Sequence, residues 1–294
     1  MVFFLAIVHY FVAATVDTLD KFLMSKRKIQ PLAYTFWSVV TGLGILVIWP
    51  WVYESIGLRQ IGLDLFSGML FSLALYVFLK ALSQGEVSRV IPFVFGLVPM
   101  FDLLIAKWFG QTVLVSKEIA ALCLLVPGAL IISYKPNFWG KHLVLKTLSA
   151  FLWSCNFAVW QWVAKTGNPF NHFMFNRIGA GVILLVMLIL PYYRRVVFKK
   201  EPTSQRKGTV GLFLFKQALG GANMIFFSWL IVVGKIPVIN ALQGFRYVFL
   251  FIGAFLLSKQ LRLAVLEEDI SPRIIVQKLS GLVLIVVGTL ILFL

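Results

Sequence analysis

GKIPVINALQGFRYVFLFIGAFLLSK, residues 234–259, is apolar and long enough to cross a bilayer as one helix, yet it carries an arginine near its middle. Spanning a hydrocarbon core of about 30 Å takes roughly 20 helical residues. Arg246 lies close to midway between Lys235 and Lys259, at the depth where membrane insertion of an arginine costs about 2.5–3.5 kcal/mol. At 100° per residue Arg246, Gln243, Tyr247, Asn240 and Gly244 share one half of the helix, and Phe245, Phe249, Ile252 and Val248 the other. The polar half needs a protein interior or a wet cavity.

Composition extends this reading to the whole chain. With 60% hydrophobic residues, 13% charged and 28 phenylalanines in 294 residues, too little polar side chain is left to cover a soluble globule. Apolar runs of helical length alternate with short charged or Gly/Pro-containing breaks, and the ten-residue alternation of a β-barrel strand is missing. The fold class is all-α integral membrane. A formal net charge of +16 would suggest nucleic acid in a soluble protein, but these basic residues sit between apolar runs and read as membrane topology. Cys123 and Cys155 fall inside apolar runs without paired spacing, so no disulfide, metal or cofactor is expected. The first run has neither a basic leader nor a small-residue cleavage site, so it is expected to be a retained helix.

Ten spans are predicted: 2–24, 32–53, 63–83, 87–109, 116–134, 142–165, 171–193, 209–233, 236–258 and 273–294. Trp49, Trp51, Tyr53, Trp108 and Trp139 stand at their ends, where amphipathic rings suit the headgroup layer. An internal repeat divides the chain into 1–134 and 142–294. Gly85 to Gln111 aligns with Gly234 to Gln260, Gly128 with Gly288, and Pro31 with Pro169, each proline opening the second helix of its half. Five helices per half is an odd number, so the two five-helix repeats are expected to be inverted.

The spacing from Pro169 to Arg177 in NPFNHFMFNRIGAG, the segment from Gly234 to Gln260 and the closing glycine helices at Gly128 and Gly288 resemble the drug/metabolite transporter superfamily, and within it the ten-helix EamA type. The resemblance covers essentially the whole chain. It implies a secondary transporter, usually an exporter of small metabolites, with a central cavity between the halves. Three positions depart from the family pattern: Gln111 and Gln260 stand where a glutamate is common, and Val39 where the first half would carry an arginine.

Basic residues crowd the odd-numbered connections, among them Lys26, Arg27, Lys28, Lys135, Arg194, Arg195, Lys199, Lys200, Arg206 and Lys207, while the even ones hold Arg59, Lys107, Lys117, Lys165 and Lys235. By the positive-inside rule the 194–208 loop is cytoplasmic in a multi-pass protein of the cell membrane. Both termini would then be outside, opposite to the orientation that the resemblance implies.

Helix one carries His9, Ala13, Asp17 and Asp20 within one arc, a stripe that suits either a proton relay or, with Lys21 four residues from Asp17, a plain ion pair. In the fourth span Pro92 and Pro99 precede Asp102, which could couple to transport or simply neutralise Arg246. Two further stripes, Ser149, Trp153, Asn156 and Trp160 in the sixth span and Lys216, Gly220, Asn223 and Phe227 in the eighth, point to a cavity or to polar helix packing. Lys216, Arg246 and Arg177 would make such a cavity cationic and suited to an anionic or zwitterionic, amino-acid-like solute. Substrate-binding residues are therefore expected at Arg246, Gln243, Tyr247, Asn240, Lys216, Asn223, Asn156 and Trp160, and coupling residues at Asp17, His9 and Asp102. No HExxH, GxSxG or P-loop motif occurs, so no enzyme is expected. The reading is a transporter, in the export direction that the resemblance implies, working as a monomer or homodimer with a solute, the bilayer and a proton as partners. A lipid flippase or scramblase is the alternative, and a membrane enzyme a more distant one.

Overall fold

The computed structural model describes residues 2–108, 116–134, 141–166, 169–198, 203–233, 243–260 and 271–293. The chain is helical throughout these: α1 Val2–Ser25, α2 Pro31–Gly42, a 3-10 turn Leu43–Ile48, α3 Trp49–Val52, α4 Leu58–Ser83, α5 Val87–Trp108, α6 Ser116–Ser133, α7 Lys141–Thr166, α8 Pro169–Ile189, α9 Pro191–Val197, α10 Thr203–Val233, α11 Gln243–Gln260 and α12 Pro272–Phe293. Eight of the described helices are long and apolar enough to cross a membrane, and Ile119–Ser133 is a shorter apolar one. With α11 these match the ten predicted spans. Pro31 and Pro169 open α2 and α8 as expected, because proline's missing N–H costs nothing at a helix start.

One span and one loop differ from the expectation. The second span breaks after Gly42 into the 3-10 turn and then the four residues of α3; Gly42, Gly44 and Pro50 weaken regular helix there. The predicted 194–208 loop is partly helix, since α9 runs to Val197 and α10 begins at Thr203.

The helices pair across the two halves of the sequence. In the second half α10 and α11 pack on α1, while in the first half α4 and α5 pack on α7, and the closing helices α6 and α12 lie against each other. Exchanging the halves carries the first set of neighbours onto the second and maps the α6/α12 pair onto itself. Glycine permits the closest approaches. A Cβ on Gly179 of α8 would overlap the Leu65 carbonyl oxygen of α4, and one on Gly68 the Asn176 carbonyl oxygen of α8. Gly179→Ala should therefore cost several kcal/mol of stability, toward the ~3 kcal/mol end of overpacking or beyond. Gly221→Ala, with nothing within 4 Å of the added carbon, should leave melting unchanged or slightly raised. Equal melting of the two variants would contradict the α4/α8 contact.

Connections of one parity gather at one end of the bundle. Lys21, near the end of α1, donates to the Leu82 carbonyl at the end of α4 at 3.2 Å. Arg89, at the start of α5, donates through Nη1 to the carbonyls of Ile132 (3.2 Å), in the last turn of α6, and Tyr134 (2.6 Å), just beyond it. At the opposite end Asn171 donates to the Glu54 carbonyl at 2.6 Å.

Candidate functional site

α1 lies against α10 and α11, and its polar stripe is where they meet. Arg246 donates from Nε to Asp17 Oδ2 and from Nη2 to Asp17 Oδ1, both at 2.8 Å. The two parallel bonds are the geometry in which guanidinium and carboxylate match best. Asp17 is 6% exposed and Arg246 15%, so the bonds act in a medium where charge is costly to leave unpaired. The Arg246 guanidinium also lies 4.4 Å from the Phe95 ring centroid. Phe245 and Ile252 face outward while Tyr247 is buried, which places the polar half of α11 inward as its periodicity requires.

One turn along α1, Asp20 forms a second ion pair with Lys216 of α10 at 2.6 Å and accepts a bond from the Tyr34 hydroxyl of α2. Nearer the start of α1, His9 Nδ1 and Asn223 Oδ1 are 2.9 Å apart, and the His9 ring stacks on Phe227 at 4.6 Å. The α10 stripe Lys216, Gly220, Asn223 and Phe227 thus meets α1 residue by residue, with Gly220 facing Val16. It packs against α1 rather than lining a cavity.

Three expectations are corrected by this arrangement. The partner of Arg246 is Asp17 and not Asp102, which instead accepts from Ser154 of α7. Asp17 does not pair with Lys21, whose ammonium reaches the Leu82 carbonyl; four residues apart on one helix, the two side chains find better-placed partners on neighbouring helices. Nor do Lys216 and Arg246 form a cationic pair of free charges, since each is matched by a carboxylate. Gln243 is half-buried at the start of α11, and Asn240 lies outside the described residues.

A second polar cluster joins α4, α7 and α8. Asn156 donates to the Ser67 carbonyl at 2.8 Å and to Ser67 Oγ at 3.0 Å, and Asn176 donates to the same hydroxyl at 3.0 Å. Trp160 meets the His172 ring edge-on at 4.5 Å, and His172 Nδ1 lies 2.7 Å from Asp64 Oδ1, both side chains being almost completely buried. The α7 stripe is therefore also engaged with neighbouring helices. Asp64, Ser67, His172 and Asn176 escape the sequence reading. A predicted span beginning at 63 puts Asp64 at a membrane edge, whereas α4 begins at Leu58 and carries it inward.

Among the described residues no group of three or more His, Cys, Asp or Glu is placed to hold a metal ion. A cavity of about 370 Å³ opens between the α2/α3 segment and α8, lined by Trp49, Pro50, Tyr53 and Phe175. Trp49 and Tyr53, expected as interfacial anchors, form its wall, with Trp49 edge-on to both Tyr53 (5.7 Å) and Phe175 (5.4 Å).

Comparison with known proteins agrees with this architecture. One solved crystal structure, of a protein described in no further terms, is similar over 99% of this chain and 94% of its own, with a TM-score of 0.51 and 16% sequence identity. That likeness concerns the fold. No curated protein matches the sequence. The model of the EamA-like transporter family matches residues 1–134, the segment that holds α1 to α6, including Asp17 and Asp20. By its bundle of apolar membrane-length helices the chain is a multi-pass membrane protein, and its first 134 residues are similar to the EamA-like transporter family.

Proposed function

We propose that the chain is a proton-coupled secondary transporter that exports a small anionic or zwitterionic, amino-acid-like metabolite by alternating access between two inverted five-helix repeats, 1–134 and 142–294. The observation that carries this reading is the pair of buried salt bridges, Asp17 to Arg246 and Asp20 to Lys216, which tie the first helix of one half to two helices of the other. Halves that rock against each other must shift such contacts, and a buried charge released without a substitute is expensive. A solute carboxylate and a proton supply that substitute in turn: the solute shares Arg246 on the outward step, and after its release a proton taken up by Asp17 neutralises the acid on the return. The exchange of neighbours between halves supports the repeat relation.

Proteoliposomes loaded with labelled amino acids and dicarboxylates test this. A solute should move unchanged and faster under an opposing proton gradient. Asp17→Asn should abolish the acceleration by the gradient, because the amide takes up no proton at neutral pH. Gradient-driven transport by Asp17→Asn at the wild-type rate would refute the coupling role.

The cell membrane is the proposed location, with the connection between α8 and α10 on the cytoplasmic side, from the basic residues concentrated there. A cysteine introduced at Ser204 should resist a membrane-impermeant maleimide in intact cells and react after permeabilisation. Full reaction in intact cells would reverse the orientation.

A further inference from the structure

Three cations from the second half of the chain, Arg246, Lys216 and Arg177, are buried or nearly so in the bundle, and the first two are already matched by Asp17 and Asp20. Arg177 is not. It is 9% exposed, and among the described residues no carboxylate or hydrogen-bond acceptor meets it; its guanidinium carbon lies over the Phe71 and Phe173 rings, at 4.3 and 4.6 Å from their centroids. Ring faces attract a desolvated cation, but they offer no lone pair and leave the guanidinium N–H donors unspent. Packing does not require an arginine here. The position aligned with it in the first half is Val39, fully buried in the equivalent helix.

We propose that Arg177 is the docking site for the carboxylate of the transported solute, with the solute's apolar body against the neighbouring rings. The fork of one guanidinium fits the two oxygens of one carboxylate. A single free positive charge matches one negative charge better than the two of a phosphate. The rings continue beyond Phe71, which is 5.7 Å from Trp153, itself 6.0 Å from Phe95 beneath Arg246. One apolar strip therefore leads from the free arginine to the paired one, and a solute moving along it would reach the Asp17 bridge. The use of the site rests on the transporter reading, whereas binding at Arg177 does not.

Melting of purified protein in phospholipid-free detergent, with benzoate, acetate or phosphate added, tests the site. Benzoate should stabilise the wild type more than acetate does, and phosphate should do so least. The benzoate shift should persist in the Asp17→Asn/Arg246→Gln double variant, vanish in Arg177→Gln, and need roughly tenfold more benzoate in Arg177→Lys, which keeps the charge and loses the fork. Without any anion, Arg177→Gln should melt at or above the wild-type temperature, since it removes a buried charge that no acid neutralises. The proposal is overturned by an undiminished benzoate shift in Arg177→Gln, by phosphate acting without benzoate, by no shift with any of the three, or by a fall of several degrees in anion-free Arg177→Gln. Benzoate binding at Arg177 in a protein that moves no solute in vesicles would instead sink the transporter reading and leave the site standing.

Discussion

Arg246→Gln is expected to destabilise the protein by about 3–5 kcal/mol, because it leaves the Asp17 carboxylate buried with no cation against it. Asp17→Asn should cost a similar amount by stranding the guanidinium. The double variant Asp17→Asn/Arg246→Gln should recover most of either loss, since two neutral amides can share a hydrogen bond across the same gap and the coupling of the pair is removed as a unit. Both donor–acceptor distances are 2.8 Å, so little of the effect is lost to poor geometry. The pairing of Arg246 with Asp102 predicts the opposite pattern, with recovery in Asp102→Asn/Arg246→Gln. Asp102 accepts from Ser154, and its removal together with Arg246 should simply add a second loss. Thermal melting followed by tryptophan fluorescence on the five proteins decides between the patterns, and rescue by the Asp102 change would disprove the Asp17 bridge.

The need of Arg246 for a counter-charge is legible in the sequence, because no lipid-facing position would tolerate it. Which carboxylate answers is not. Repeat alignment brings the fourth and ninth spans together and so favours Asp102, while helical spacing favours Lys21 as the neighbour of Asp17. The choice between them depends on α1 lying against both α10 and α11, a tertiary fact with no local signature. The α10 stripe shows the same division. Its face is given by periodicity, and its contacts with His9, Val16 and Asp20 only by the packing. Asp64 and His172 lie further from reach, since their pairing spans 108 positions and each looks like an edge residue of its own span. The break in the second span, by contrast, has a visible cause in Gly42, Gly44 and Pro50, which a continuous apolar count passes over.

Glu86→Gln should have an effect as large as the loss of the Asp17 bridge, at the far end of α5 from Trp108. One oxygen of Glu86 accepts from Arg89 Nε at 2.8 Å and from Lys278 Nζ of α12 at 2.6 Å, and all three side chains are buried to within a few per cent. The amide keeps the shape and removes the charge that both cations share, so the change should cost at least the ~3–5 kcal/mol of a broken buried pair, more than Lys278→Gln, which removes only one of the two cations. Neutralising the cluster as a whole, with Glu86→Gln, Arg89→Gln and Lys278→Gln together, should restore part of the loss. The cluster also joins the start of α5 to the start of α12, while Arg89 holds carbonyls at the end of α6, so it closes the end of the bundle where these three helices converge. If it acts as a latch, Glu86→Gln should raise the reaction of a cysteine at Ser88 with N-ethylmaleimide several-fold, in a background with Cys123 and Cys155 replaced, because Ser88 is buried beside the latch. A lower melting temperature with unchanged labelling would make Glu86 a structural anchor of α5 and α12 and exclude a gating role for it.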